Sequence, residues 1–231
     1  MAGSTQTTHD RLLDYCSGWS SDIGDLSDEN AHIAYFRQEL PRLLLDLPLV
    51  RSLLSDIRAG AAYPDIRKTG FFENEILLYI DDRRRFSLRL YFHAGGEYTV
   101  IHDHNAWGVS GVTSGRLGVV WYRLEGKGPE GRDAAEGGAP DPARLVRIDR
   151  RILSAGEVTV TRPLAPGIHQ TGNPDALPNM MLTVYGRPAR RLYIHEYDPV
   201  TFRAFRRYPP RIRKQRFASE VMKALDGPPE P

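Results

Sequence analysis

The chain has 231 residues, of which 41% are hydrophobic and 26% charged, and its net charge is +2. That length can bury a full core, so one domain with appendages is the default, and the near-neutral charge gives no electrostatic case for nucleic acid. A single cysteine, Cys16, excludes a disulfide framework and favours a reducing, cytoplasmic location; no apolar run approaches the ~18 residues of a membrane span, and the polar start lacks the apolar stretch of a secretory signal.

Residues 1–9 are polar and expected to be disordered. Asp10 is placed to cap a short helix whose apolar positions are Leu12, Leu13 and Tyr15. Ser27 and Asn30 mark the start of a second helix. There Ile33, Phe36, Leu40, Leu43, Leu44 and Leu47 recur at spacings of three and four, and Pro41 kinks or divides the pattern. Val50, Leu53, Leu54 and Ile57 continue the same periodicity to Gly60. Residues 1–70 therefore read as a helical cover packed on a sheet, a role in packing and not in chemistry.

From Phe71 the period changes. Ile76 to Ile80 is strand-like, and Asp81 to Arg85 is a charged hairpin turn. Phe86 to Phe92 alternates cleanly, with Phe86, Leu88, Leu90 and Phe92 on one face. Ala94 to Gly96 turns the chain into the stretch Tyr98 to Gly115. Further strands are expected at Val109–Val112, Leu117–Leu124, Leu145–Leu153, Glu157–Thr161, Met180–Tyr185 and Leu192–Tyr197. Residues 126–143 are rich in Gly, Pro, Asp and Glu and read as a mobile surface loop. About eight short strands without long helices between them argue for a β-sandwich or barrel. Residues 200–231 form a basic tail with a last helix from Phe217 to Leu225. The tail, with Arg203, Arg206, Arg207, Arg211, Arg213, Lys214 and Arg216, reads as a solvated surface or a subunit contact.

The chemistry-bearing stretch is His102-Asp103-His104, read together with His169. Alternation along a strand points His102 and His104 the same way. Two neutral imidazoles on one face suit a divalent transition metal, and His169 follows a Pro166-Gly167 turn into a new strand.

These stretches resemble the two motifs of the cupin superfamily. The first, G-x-H-x-H followed by a glycine, spans Gly96 to Gly115; Pro166, Gly167, His169 and Asn173 fit the second, with Pro and Gly adjacent instead of spaced. The resemblance implies a mainly β protein: a double-stranded β-helix, or jelly-roll barrel, over residues 71–199, with an N-terminal helical cover and a C-terminal helix. A narrower resemblance, carried by H-D-H-x-x-W-G-V-x-G-V-x-x-G and the upstream L-L-Y run with R-F-S-L, is to the cysteine dioxygenase family, especially its bacterial thiol dioxygenases. That resemblance implies Fe(II) held by His102, His104 and His169, addition of O2 to a small-molecule thiol and a sulfinate product. Zn, Ni, Mn and Cu suit the same three ligands, and ligand type alone does not choose among them. Homodimers formed by sheet extension are common among cupins.

Three departures bear on the substrate. Where the family has an S-x-H-x-Y triad, this chain has Met181, Thr183 and Tyr185, so Tyr185 alone remains as a catalytic candidate. A later Tyr193-Ile194-His195-Glu196-Tyr197 imitates the spacing but lies 26 residues past His169. The family's carboxylate-binding arginine precedes the L-L-Y run, and here that region holds Glu73 and Glu75. A buried Glu75 would repel a carboxylate and attract an amine, with Arg89 or Arg162 as a relocated anchor; solvent exposure of all three is the plainer reading. Trp107 is assigned to the pocket wall, although core packing alone would explain an indole there. The lone Cys16 excludes a Cys–Tyr crosslink beside the metal. Two other classes stay open: a metal-dependent cupin enzyme with a non-thiol substrate (another oxygenase, an isomerase or a lyase), and a non-catalytic ligand-binding cupin.

Overall fold

Three helices open the chain in a computed structural model that describes residues 7–26, 28–60, 74–126, 144–189, 191–201, 203–209, 215 and 217–219. They are α1 (Thr8–Asp22), α2 (Glu29–Leu44) and α3 (Leu47–Arg58). Each start has a side-chain cap that satisfies an otherwise unpaired backbone N–H. Thr7 caps α1, and Asp10, expected as the cap, is its partner in a reciprocal capping box. Asp28 caps α2 through the Ala31 N–H at 2.8 Å. Asp46 caps α3 and also forms an ion pair with Arg11 at 3.0 Å, tying α3 to α1. Pro41 neither divides nor ends α2, which runs on to Leu44. Leu47, expected to extend the buried stripe, belongs to α3 and is 49% exposed.

Eleven strands follow among the described residues: β1 (Glu75–Ile80), β2 (Phe86–His93), β3 (Ile101–His102), β4 (Gly108–Val112), β5 (Arg116–Glu125), β6 (Arg144–Ser154), β7 (Val158–Thr161), β8 (His169–Gly172), β9 (Asn179–Gly186), β10 (Ile194–Tyr197) and β11 (Ala204–Arg207). One sheet has the order β1-β2-β9-β4-β7, the other β11-β10-β3-β8-β5-β6. The pairs β5/β6, β4/β7, β3/β8 and β2/β9 are nested and antiparallel. One long hairpin is thus folded over on itself, and successive pairs fall in alternate sheets. This is the double-stranded β-helix.

The five-stranded sheet buries both of its faces. Its outer rows, Leu88–Val184–Val109–Val160 and Leu90–Leu182–Gly111–Val158, lie under the helices. There Phe36 packs against Trp19, Phe86 and Trp107 at centroid distances of 5.5, 5.2 and 5.8 Å. A Cβ on Gly111 would stand 2.7 Å from the Leu44 side chain, so glycine lets α2 approach. The opposite face carries the rows Ser87–Tyr185–Gly108–Thr161, Arg89–Thr183–Ser110–Thr159 and Tyr91–Met181–Val112. This face meets the second sheet, since Tyr91, Val112 and Met181 pack with Leu117 and Val119. The clean alternation of β2 therefore has its apolar side outside the barrel and its polar side within.

Strand β11 was not foreseen: Ala204–Arg207 lies in the stretch read as basic tail, and it pairs with β10. The short C-terminal helix is described at Gln215 and Phe217–Ser219. The loop expected at 126–143 lies outside the described residues except for Gly126, and so do Phe71, Glu73 and the tail residues Arg211, Arg213, Lys214 and Arg216. No described helix is long and apolar enough to cross a membrane.

If the helical cover supplies the main apolar core, Phe36→Ala should lower unfolding free energy by about 3–5 kcal/mol. Urea denaturation measures this, and a loss under ~1 kcal/mol would show that the core does not depend on the cover.

Candidate metal centre

The three histidines converge. His102 on β3 stands directly opposite His169 on β8, and His104 follows two residues later on the same face. One ligating nitrogen from each lies within 4.8 Å of the others, and all three side chains are buried. The Nε2 atoms of His104 and His169 are 3.0 Å apart. Among the described residues no Cys, Asp or Glu joins this group.

Local backbone explains the convergence. The Pro166-Gly167 turn is a short 3-10 segment, Ala165–Gly167, that delivers His169 into β8. A Cβ on Gly167 would lie 1.7 Å from the Arg162 carbonyl oxygen, so only glycine fits. Leu164 has φ 61°, a left-handed conformation unusual for leucine, and its N–H donates to the His104 carbonyl at 2.8 Å. The turn before the third histidine is thus bonded to the backbone of the second.

Burial pushes the ring pKa of all three histidines down, well down for His104 and His169, where neighbouring imidazoles add to the effect. The rings are neutral at pH 7, and each keeps a lone pair for a metal. Outer partners orient two of them: the His102 Nδ1–H donates to the Val100 carbonyl at 2.8 Å, and His169 Nδ1 lies 3.2 Å from Thr161 Oγ1. That leaves Nε2 of each turned to the cluster, the arrangement usual for metal-ligating imidazoles. Three lone-pair donors held this close fit a transition-metal ion, and the donor set does not distinguish Fe(II) from Zn, Ni, Mn or Cu.

Between the two ligands of the motif, Asp103 points the other way into a buried clamp. Its carboxylate accepts from Arg191 at 2.7 and 2.9 Å, from the His195 backbone N–H at 2.7 Å and from the His195 ring at 2.9 Å. Burial raises the Asp103 pKa, but the bonds from His195 and Arg191 outweigh it and hold the carboxyl below its usual range. His195 therefore grips the His102–His104 segment from behind and does not complete a triad with Tyr185. No local pattern points to Arg191, because its partner lies 88 residues away.

Tyr185 reaches the cluster: its ring stacks on that of His104 at 5.8 Å, with 27° between planes. Gly108 makes room for it, since a Cβ there would lie 2.9 Å from the tyrosine ring. Burial pushes its pKa up to about 12, so the hydroxyl stays protonated. Tyr91, itself fully buried, hydrogen-bonds that hydroxyl. Arg89 lies over the Tyr185 ring, its guanidinium carbon 5.4 Å from the ring centre, and pairs with Glu75. Glu75 is thus buried as the acidic reading required, but its charge is matched. Arg162, the other suggested anchor, is on the surface with Glu29 and Asn30.

Trp107 is not brought to the pocket. It shares a face with Val109, and strand alternation turns that face outward, under Phe36 and His32. The wall position passes to Gly108 and, through it, to Tyr185.

No protein-family model matches the chain. Solved structures similar to it are cupin barrels. A cupin 2 conserved barrel domain protein from Salinispora arenicola is 19% identical, with 54% of this chain and 86% of that one covered and a TM-score of 0.35. A second, from Rhodopseudomonas palustris, is 13% identical over 55% of this chain and 68% of that one, with a TM-score of 0.37. A sugar phosphate isomerase of the cupin superfamily from Silicibacter pomeroyi is 17% identical over 59% and 78%, with a TM-score of 0.34.

Two predictions follow from this geometry. The depressed histidine pKa values mean that the unfolded chain binds more protons below about pH 6.5. Metal-free protein should therefore lose stability as pH falls from 7 to 5, by up to about 1.4 kcal/mol per pH unit for each of the three rings. Urea midpoints across that range measure the slope, which His104→Ala should reduce. Arg191→Met leaves Asp103 buried without its main partner and should cost about 3–5 kcal/mol. Its metal affinity should fall about 10–100-fold, the usual effect of losing an outer orienting group; an unchanged metal dissociation constant would disprove the clamp.

Proposed function

We propose that the protein is a mononuclear non-heme iron oxygenase acting on a small molecule, and that it adds O2 to a thiol to give a sulfinate. The observation that carries this reading is the convergence of three buried, neutral imidazoles on the inner face of the barrel, with no carboxylate among the described residues joining them. His102, His104 and His169 would hold the ion. Fe(II) bound there would supply the redox chemistry that joins both atoms of O2 to a thiolate, so that RS⁻ and O2 give RSO2⁻ with no external reductant.

The chain's own residues divide the remaining work. Tyr185 stays protonated beside Tyr91, and its hydroxyl would be the group offered to substrate or O2. The stacked His104 and Gly108 fix where that hydroxyl is presented. Arg89 over the ring holds the phenol in place. Thr183, which stands where the family has an imidazole, donates to Ser110 Oγ at 2.9 Å and cannot relay a proton as a histidine would. That difference favours a second reading, an enzyme of the same metal site whose substrate is not a thiol.

Anaerobic purification with metal analysis, followed by O2 uptake on the iron-loaded protein, tests both. One O2 consumed per thiol with sulfinate formed is the expected result, and His169→Ala should abolish metal binding and turnover. Iron without uptake for any thiol would favour the second reading. Tight zinc or nickel with no oxygen chemistry would place the protein outside the oxygenases.

A further inference from the structure

One buried oxygen inside the barrel has no partner among the described residues. Oε2 of Glu75 accepts no hydrogen bond among the described residues, and the Glu75 side chain is only 3% exposed. Two ring nitrogens, His32 Nε2 and His93 Nε2, share this condition, but His32 sits on α2 against Trp107, outside the barrel, and His93 pairs with Asn179 through its other nitrogen. Glu75 differs because it faces the interior of the barrel, on the side that carries Tyr185. It stands opposite Tyr91 on the barrel's inner face and pairs through Oε1 with Arg89. Arg89 covers Tyr185, and Tyr185 stacks on His104. Three contacts thus join the free oxygen to the histidine cluster.

An unpaired buried acceptor costs about 1–3 kcal/mol, and more when charged. Serving as counter-ion to Arg89 needs only one of the two carboxylate oxygens. We propose that Glu75 Oε2 is a substrate anchor: it accepts a hydrogen bond from an N–H or O–H group, an ammonium or a hydroxyl, at the end of a small substrate remote from the three histidines. This rests on the reading above that the histidines mark the reacting end. The Glu75–Arg89 pair is neutral overall, so the discriminating feature is a donor and not net charge. A carboxylate in the same place would meet an acceptor that has no hydrogen to give, and is disfavoured.

The test uses the cobalt-loaded protein under argon, whose visible spectrum reports thiolate binding. It is titrated with 2-aminoethanethiol, 2-mercaptoethanol, ethanethiol and 3-mercaptopropionate. The two donor-bearing thiols should bind about tenfold tighter than ethanethiol, the equivalent of one well-made hydrogen bond. The acid should bind weakest. Glu75→Gln leaves the Arg89 charge unmatched and should reverse the order, making 3-mercaptopropionate the tightest. A merely structural Glu75 would lower all four affinities together. Equal affinities in the wild type, or an unchanged order in a folded variant, overturn the anchor; if the variant does not fold, the wild-type order decides. Should no thiol alter the cobalt spectrum, the thiol reading fails by itself. Thermal protection by ethanolamine over glycolate then supports the anchor, and equal protection overturns it.

Discussion

The five-stranded sheet must bury both faces, and most of the molecule follows from how it does so. A jelly roll without a cover would turn its apolar residues inward and fill the barrel with them. Here Phe86, Leu88, Leu90, Val109, Leu182 and Val184 have a second destination, the helical layer built on Phe36, Leu40 and Leu44. The inner rows are then released from the duty of making a core. They carry Ser87, Arg89, Tyr91, Thr183 and Ser110, groups that the middle of a small protein would otherwise exclude. Among the described residues, the cluster of Tyr91, Val112, Leu117, Val119, Leu153 and Met181 closes the barrel with apolar contact.

This division explains what was legible in the residues and what was not. Strand periodicity is local, so β1, β2, β5, β6 and β9 could be read within a residue or two of their observed ends. Strand alternation also placed His102 and His104 on one face; their meeting with His169, 65 residues beyond His104, was legible through the resemblance to the two cupin motifs and not through any short-range rule. Periodicity shows that a strand has two faces and does not show which neighbour each face meets. That is why Trp107 was assigned to the pocket when it packs under α2. Strand β11 was hidden for a related reason. Ala204–Arg207 is too polar and too short to announce itself, and it forms only because β10 offers an edge. The Asp103–Arg191 clamp depends on two segments far apart in the chain, and nothing in either alone requires the other.

Glu75 was legible in part. Its acidity beside the expected anchor position was visible, and so was its conflict with a carboxylate substrate. The compensating cation was not, because Arg89 pairs with it across the β1/β2 ladder, with Glu75 in register with Tyr91. The pairing changes the electrostatic conclusion. An isolated buried Glu75 would select for positive charge; a matched one selects for hydrogen-bond geometry.

The charges around the cluster then have a simple sum. The three imidazoles are neutral, the two phenols stay protonated, and Glu75 and Arg89 cancel. The protein contributes almost no net charge to the pocket, although it contributes many dipoles. Among these described groups, a divalent ion held by the histidines would be the one uncompensated charge, and burial there keeps Coulomb attraction strong. An anionic atom on a substrate would be drawn to that end and not to Arg89, whose charge is already committed. Orientation of a small molecule would therefore be set by its one anionic atom at the metal and its one donor at Glu75, with Tyr185 between them.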